Sequence, residues 1–326
     1  MLGLIAFTVI IFAATFISTF LLVKGWIFVA KKFGYVGKDM NKIQKPECAE
    51  AGGIGVIFST VFGIFFYIFF KVFIWHSESH FVDVLAIICT ILLAGFLGFI
   101  DDILGWKKGL AQWQKPLLTI PIAIPLAVLN AGNKILVLPF FGEVNFGLLF
   151  PLLLVPLAIV GASNGFNMLA GLNGLEAGMG AIMLGTLSAI LLKESPWLAL
   201  LTALCTTSLI AFLLFNWYPA KVFPGNCLTY AVGALIGIVG VLSSATTAAL
   251  ILFSPYFVEL VLKARTKFKA ESFGIPQADG SLVPPKQISS LTHIFMRIFK
   301  TEKRTVQAIL ALELCLAALT LLLFLR

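Results

Sequence analysis

The sequence predicts an all-α membrane protein of about ten transmembrane helices, and three observations lead to this prediction. Hydrophobic residues make up 60% of the 326 positions and charged residues 12%, whereas soluble domains have about 45–50% and about 25%. The mean hydropathy is +1.03. Apolar runs long enough to cross a bilayer recur along the whole chain. We therefore expect one polytopic domain, residues 1–326, with no sizeable soluble domain.

The predicted spans follow the apolar runs in order. The fourth, fifth and eighth are short or interrupted by proline, which a helix bundle tolerates because neighbouring helices satisfy the freed backbone groups. We place the ten spans at residues 2–30, 52–73, 82–100, 116–130, 147–163, 178–192, 196–215, 228–242, 245–262 and 306–325.

The distribution of lysine and arginine predicts the orientation of these spans. The loops that follow the odd-numbered spans hold eighteen such residues, among them Lys107 and Lys108 and nine between residues 263 and 305. The remaining loops and the last position hold Lys71, Lys134, Lys193 and Arg326. We expect the odd-numbered loops in the cytoplasm and both termini outside. The net charge of +8 then reflects membrane topology, and no nucleic-acid partner is expected.

The first cytoplasmic loop carries polar residues just before the second span. It reads GKDMNKIQKPECAEAGG and contains Asn41, Lys42 and Glu50. These residue types suit a substrate-binding loop, although a solvated basic turn is the simpler interpretation of this loop alone.

The second cytoplasmic loop begins with two adjacent carboxylates. Asp101 and Asp102 follow an apolar run directly, and Lys115 precedes the next span. A carboxylate at membrane depth costs about 2.5–3.5 kcal/mol on insertion scales, and neighbouring carboxylates repel each other. Such a pair is expected to need a cation or a proton, so metal binding, phosphate chemistry and ion transport all fit, as does an interfacial stop signal. An ammonium group such as that of Lys115 meets phosphate as a point charge.

The third cytoplasmic loop reads NGFNMLAGLNGLEAG, from Asn164 to Gly178. If it is helical, Asn164 and Asn167 lie one turn apart, as do Asn173 and Glu176, so each pair shares a face. Carboxamide and carboxylate oxygens suit Mg²⁺, which keeps several waters and is usually completed by substrate phosphates. The alternative is an asparagine-lined contact between membrane helices.

The last two cytoplasmic loops offer further candidates. The fourth reads FNWYPAKVFPGN and includes Phe223 and Asn226, although aromatic residues at a membrane surface are most often anchors. The fifth, residues 263–305, is the longest polar segment, and its basic ends could lie on anionic lipid headgroups. Within it, His293 and Arg297 share one face of an expected amphipathic turn.

Taken together, these motifs resemble the polyprenyl-phosphate N-acetylhexosamine-1-phosphate transferases, which form glycosyltransferase family 4. The resemblance rests on GKDMNK with AEAGG, the pair Asp101–Asp102, Lys115, NGFNMLAGLNGLEAG and FNWYPAKVFPGN, in the family's order. It implies a ten-helix enzyme that moves a sugar-1-phosphate from a UDP-sugar to a polyprenyl or dolichyl phosphate and releases UMP. The form AGxNGLEAG is similar to the dolichyl-phosphate GlcNAc-1-phosphate transferases of eukaryotes and their archaeal relatives, which start N-glycan assembly. The compact length, with no large insertion in the last loop, favours an archaeal plasma-membrane enzyme, whose active site is expected on the cytoplasmic side.

The resemblance also implies roles for the candidate residues. Asp101 would orient or deprotonate the lipid phosphate, Lys115 would contact the pyrophosphate, and Phe223 would stack on uracil. Asn173, with Asn226 and Asp102, would ligate Mg²⁺, for which Mn²⁺ could substitute. The family usually has an aspartate where this chain has Asn226. The remaining substrate-binding candidates are Asn41, Lys42, Glu50, Asn164, Asn167, Glu176, His293 and Arg297, of which the last two belong to a loop expected to cover the sugar and the diphosphate.

Several alternatives stay open at this point. Direct attack of the lipid phosphate on the UDP-sugar competes with a double displacement through a phosphorylated Asp102. A transporter that couples ions through Asp101 and Asp102 is the non-enzymatic alternative, although its polar groups should mark both membrane faces. A lipid-binding homologue with impaired catalysis is a third interpretation, and a homodimer is open.

Overall fold

The computed structural model describes residues 2–105, 109–129, 135–138 and 142–325. Helices make up 69% of the described residues, which contain thirteen α-helices. They are α1 Leu2–Phe33, α2 Gly53–Phe73, α3 Phe81–Leu104, α4 Gln114–Thr119, α5 Ile124–Val128, α6 Val155–Phe166, α7 Leu175–Leu191, α8 Pro196–Asn216, α9 Gly225–Leu242, α10 Thr246–Leu252, α11 Ser254–Ala264, α12 Leu291–Phe299 and α13 Glu302–Phe324.

Each of the ten predicted spans coincides with a helix or a broken helix. Six helices are long and apolar enough to cross a membrane, namely α1, α2, α3, α8, α9 and α13. The pair α10 and α11 forms a further apolar segment bent by 53°. Three shorter apolar segments, Gln114–Val128, Phe150–Phe166 and Leu175–Leu191, match the remaining predictions. The chain is thus a polytopic helical membrane protein, whereas the count of ten spans and the orientation stay predictions. Lys107, Lys108, Lys134 and Arg326, which enter the charge count, lie outside the described residues.

Proline interrupts the fourth and fifth segments as expected. A 3₁₀ turn, Ile120–Ala123, joins α4 to α5 and contains Pro121, and a π turn, Phe150–Leu154, precedes α6 and contains Pro151. Each proline removes a backbone N–H from the regular ladder, so the hydrogen-bond register changes there. The eighth segment differs from the prediction, because α9 is an unbroken helix of 18 residues that starts at Gly225.

Helix α9 is the centre of the bundle. The described helices α3 and α6 pack along it, and 83% of its apolar stretch is buried inside the protein. Glycines make this packing close: a β-carbon on Gly233 would lie 2.4 Å from the carbonyl oxygen of Ala162, and one on Gly237 would lie 2.7 Å from that of Ala158. Small residues allow membrane helices to approach in this way. The first turn of α9 therefore lies between α3 and the loops at one end of the bundle.

The all-α prediction missed three short antiparallel hairpins in the loops. They pair β1 Val36–Lys38 with β2 Glu47–Ala49, β3 Ile135–Leu138 with β4 Gly142–Asn145, and β5 Ile275–Pro276 with β6 Leu282–Val283. Strands this short have no periodicity that a sequence would reveal. The first hairpin holds the polar turn of the first loop, and a parallel bridge from Ala49 to Val222 fastens it to the loop before α9.

Candidate active site

The first group of site residues surrounds the carboxylate of Asp101 at the end of α3. Its Oδ2 lies 2.8 Å from Nζ of Lys115 and accepts a hydrogen bond of 2.7 Å from the side-chain amide of Asn226. Its Oδ1 accepts the backbone N–H of Leu110. The carboxylate is buried, and it is paired with the ammonium group of Lys115.

Asp102 faces the beginning of α9. Its Oδ1 accepts the backbone N–H of Asn226 at 2.7 Å, and its Oδ2 accepts that of Cys227 at 3.1 Å. These are N–H groups that a helix leaves unpaired in its first turn, where its dipole also favours a negative charge. Gly225 has φ +73°, and a β-carbon there would lie 2.2 Å from Oδ2 of Asp102. Glycine at this position lets the carboxylate reach the helix.

A second group joins the first loop to the start of α13. Nζ of Lys42 pairs with Asp39 and lies 3.2 Å from Oε2 of Glu302, while the ammonium stands 4.7 Å from the ring centroid of Tyr218. Asn173 donates its side-chain amide to Asp39 at 3.1 Å and its backbone N–H to Glu302 at 2.9 Å. Burial lowers the pKa of Lys42, but the charges of Glu302 and Asp39 outweigh it, so the pKa is raised. The ammonium therefore stays charged.

Asn41 connects three loops. Its side-chain amide donates to the carbonyl of Gly171 at 2.8 Å, and its Oδ1 accepts the N–H of Gly274 at 3.0 Å. Oε1 of Glu176 accepts the N–H of the same Gly171 at 2.8 Å. Gly171 has φ +102°, a conformation that favours glycine. The asparagine segment is thus fixed between the first loop and the last.

The asparagine segment is a turn between two helices, which corrects part of the prediction. Asn164 and Asn167 lie one turn apart at the end of α6, as expected. Asn164 donates to Oγ1 of Thr119 at 2.9 Å, and Oδ1 of Asn167 accepts the hydroxyl of Thr229 at 2.8 Å. Asn173, however, does not share a helical face with Glu176, because α7 begins only after Gly174, whose φ is +84°.

Phe223 and Glu50 lie where the first and fourth loops meet. The backbone N–H of Phe223 donates to Ala49 at 2.8 Å, and its carbonyl accepts from Gly52 at 2.9 Å. The Phe223 side chain is half-buried, which leaves part of its ring free to stack. Burial raises the pKa of Glu50, and the nearby charge of Asp102 adds to the effect, so that the pKa is about 7.

His293 and Arg297 occupy different environments although they are one turn apart on α12. His293 is fully buried; its Nδ1 accepts the N–H of Ser289 at 3.3 Å and its Nε2 donates to the carbonyl of Phe273 at 3.2 Å. Burial lowers the pKa of His293 to about 4. Arg297 is exposed and has no ion pair among the described residues. The structure therefore uses His293 to hold the last loop together.

A cavity of about 410 Å³ opens between the first loop and the last. It is lined by Met40, Ala270, Glu271, Phe273, Gly274, Pro285, Gln287 and Ser289. Met40 precedes Asn41 in the chain, and Gly274 is a hydrogen-bond partner of Asn41. The cavity therefore adjoins the second group of site residues.

Sequence reasoning missed two members of this second group. From the sequence, Asp39 is only one member of a polar loop. Glu302 falls in the last loop, because the final predicted span starts at residue 306. The available signal was Thr301 before Glu302: the Thr301 hydroxyl accepts the N–H of Arg304 and caps α13 at its true start.

The donor chemistry of the site fits a hard divalent cation with few protein ligands. In the described residues no three histidine, cysteine, aspartate or glutamate side chains gather as a metal site. Asn173 and Asn226 each use the side-chain amide to hold a carboxylate, and neither Oδ1 accepts a hydrogen bond from the described chain. Both oxygens of Asp102 are engaged by α9, and its predicted role as a metal ligand stays a prediction.

Comparison with known proteins decides the family. The sequence model of glycosyl transferase family 4 matches residues 84–244, which run from α3 to just beyond α9. A protein from Sulfolobus acidocaldarius, named "Putative UDP-N-acetylglucosamine--dolichyl-phosphate N-acetylglucosaminephosphotransferase", is 39% identical over 98% of this chain and 95% of its own. The chain belongs to glycosyl transferase family 4. The predicted resemblance is thereby confirmed.

Two further members of the family show how the similarity is distributed. A protein of the same name from Saccharolobus solfataricus is 43% identical over 86% of this chain and 85% of its own. A phospho-N-acetylmuramoyl-pentapeptide-transferase from Lactobacillus helveticus is 34% identical over 51% of this chain and 53% of its own. The archaeal similarity covers far more of the chain, in line with the branch that the form AGxNGLEAG predicts.

Proposed function

We propose that this protein transfers N-acetylhexosamine-1-phosphate, with GlcNAc as the sugar, from a UDP-sugar to a polyprenyl or dolichyl phosphate and releases UMP. The observation that carries the proposal is the group formed by Asp101, Lys115 and Asn226 at the end of α3. In this chain, which belongs to family 4, the group brings a carboxylate, an ammonium and a carboxamide together at one end of the helix bundle. The reaction would start lipid-linked glycan assembly for N-glycosylation.

The chemistry asks the site mainly to bring two anions together. A phosphate monoester has its second pKa near 6, so the acceptor is largely a dianion at neutral pH and needs little help from a base. Lys115 is the group that offsets the charge of the pyrophosphate, and Asp101 holds Lys115 and orients the lipid phosphate. Phosphoryl transfer is catalysed mostly by such positioning and neutralisation.

The direct route agrees with the contacts of Asp102. Both of its oxygens accept backbone N–H groups of α9, so the carboxylate supports the site and is engaged as a helix cap. In a direct attack, no UMP is exchanged into the UDP-sugar when the acceptor lipid is left out. Exchange under those conditions would instead support a phosphorylated Asp102.

Mg²⁺, or Mn²⁺ in its place, is the cofactor that we propose. Asn173 and Asn226 would hold it through their side-chain oxygens, with waters and substrate phosphates completing the shell. When bound, the ion would supply charge neutralisation at the diphosphate. The protein's own residues do the rest: Asp39 and Glu302 fix Asn173, and Asp101 fixes Asn226.

The remaining roles follow the placement of the loops. Phe223 would stack on uracil, and Asn41, Lys42, Glu50 and Glu176 would support the nucleotide pocket. Asn164 and Asn167, on the α6 face beside Thr119 and Thr229, would bind substrate near Lys115. Residues 263–305 would cover the sugar, with the site on the cytoplasmic side of the plasma membrane. A homodimer is compatible with this arrangement.

The test is a transfer assay with purified protein. Dolichyl phosphate, Mg²⁺ and UDP-GlcNAc labelled in the sugar should give labelled lipid together with UMP. Parallel reactions without the acceptor lipid, and with Mg²⁺ replaced by a chelator, serve as controls. Absence of labelled lipid with wild-type protein would rule out the function, whereas transfer that survives chelation would rule out the metal alone.

A further inference from the structure

The outer face of α12 carries both apolar and basic side chains. Ile294, Arg297 and Ile298 follow one another at helical spacing and are exposed, with 66% of Ile298 accessible. On the opposite face, His293 and Met296 are buried. An amphipathic helix of this kind suits a boundary between an apolar and a polar phase.

This outer face is held firmly in place. Oε2 of Glu259, on α11, accepts the backbone N–H of Leu291 at 2.6 Å and the hydroxyl of Ser290 at 3.1 Å. His293 adds its two hydrogen bonds to the last loop. The orientation of α12 is therefore set by buried polar contacts, and the exposure of its outer face is a stable feature of the fold.

The connection to α13 keeps α12 close to a helix that is long and apolar enough to cross a membrane. Only Lys300 and Thr301 separate the end of α12 from the start of α13, which is long and apolar enough to cross a membrane. A linker of two residues keeps the two helix ends within about 10 Å of each other. The outer face of α12 is thus held beside the polar first turn of α13.

Exposed cations lie on α12, at the start of α13 and in the segment after α11, which packs against α12. We name them the basic rim; none has an ion pair among the described residues, and they are Arg265, Lys267, Lys269, Arg297, Lys300, Lys303 and Arg304. Between residues 263 and 305, the exposed acidic side chains are Glu271 and Asp279 alone. The surface is strongly positive, because seven exposed cations face only these two exposed carboxylates.

We propose that α12 lies on the bilayer, with Ile294 and Ile298 at the acyl boundary, and that the basic rim binds anionic lipid headgroups. The charge of the rim would also attract an acidic peptide or a nucleic acid, but either partner would leave the isoleucine stripe in water. An anionic membrane satisfies both halves of the face at once. The proposal concerns lipid binding alone, and its test does not depend on the transfer reaction.

The test measures the binding of lipids to delipidated protein by native mass spectrometry. Phosphatidylglycerol should bind wild-type protein more tightly than phosphatidylcholine does. In the double variant Arg297→Gln/Lys303→Gln, that preference should fall by about fivefold for each cation removed. The matched control is Lys71→Gln/Lys193→Gln, which removes two cations at the ends of α2 and α7 that lie away from the site, and it should keep the preference.

Two further measurements on wild-type protein make the result independent of the variants. The preference for phosphatidylglycerol should weaken as ionic strength rises. Amide exchange across α12 should be slower in nanodiscs that contain phosphatidylglycerol than in discs of phosphatidylcholine. Equal binding of the two lipids, or a preference in the rim variant as large as in the control variant, would overturn the proposal.

Discussion

The carboxylate of Asp102 accepts the backbone N–H of Asn226 at 2.7 Å, so the end of α3 caps the start of α9. The contact fixes the residue whose side-chain amide holds Asp101, and it thereby joins the two aspartates through one asparagine. Asp102 acts on the site through Asn226, whereas Asp101 faces Lys115 directly.

Asp102→Asn should lower both stability and activity. The amide offers one acceptor oxygen, and its NH₂ group would face a backbone N–H of α9, so we expect a loss of about 1–2 kcal/mol. Thermal unfolding in detergent measures the loss. Asp83→Asn, at the exposed other end of α3, is the control and should unfold like the wild type. An Asp102→Asn protein with wild-type stability would contradict the capping role.

Lys115→Met should lower kcat by about 10²–10³-fold, because the anionic diphosphate loses a neutralising ammonium. Asp101→Asn should cause a loss of similar size, since Lys115 is then no longer held at 2.8 Å. The two losses should be far from additive in the double variant, because the residues act as a pair. Lys38→Met, an exposed position in β1, is the control, and additive effects would argue against the pairing.

Lys42→Met should destabilise the fold by about 3–5 kcal/mol, because Asp39 and Glu302 would stay buried without a cation. The contacts that connect the first loop to Asn173 and α13 should weaken, so proteolysis in the first loop should be faster. Lys45→Met, exposed in the same turn, is the matched control. If both variants unfold at the same temperature, the buried network does not support the fold.

Glu50 makes stability depend on pH. Its pKa is raised in the folded protein to about 7, so the folded state holds a proton that the unfolded chain releases near pH 4.5. The associated stability is fully present below pH 4.5 and is lost as the pH rises through 7, with a magnitude on the order of 3 kcal/mol. The unfolding temperature should fall as the pH rises across this range, both for wild type and for Glu47→Gln. Glu50→Gln should reduce the slope by the share that Glu50 contributes.

The sequence indicates many residues of the candidate site because they are polar in an apolar chain, and their roles stay predictions. Asp101, Lys115 and Asn226 meet as their conspicuous positions beside membrane helices suggested. The sequence could not show that Asp102 caps α9, because a capping side chain is identified only by the backbone N–H groups that it contacts in the structure. Nor could it separate His293 from Arg297: the two share a helical spacing, and only packing decides which one is buried.

The boundaries of the helices show the same limit. Residue 302 follows a polar stretch, so hydropathy placed the last span four residues late and left Glu302 outside it. Hydropathy detects the part of a helix that lies in the membrane, whereas the site is built from the helix ends, where polar side chains satisfy unpaired backbone groups.

The central claim is that the phosphate travels with the sugar, and UDP-GlcNAc that carries ³²P at the β-phosphate and ³H in the sugar tests it most directly. With dolichyl phosphate as the acceptor, both labels should enter the lipid in equal proportion, and UMP should be released. Tritium in the lipid without ³²P, with UDP as the product, would contradict the account.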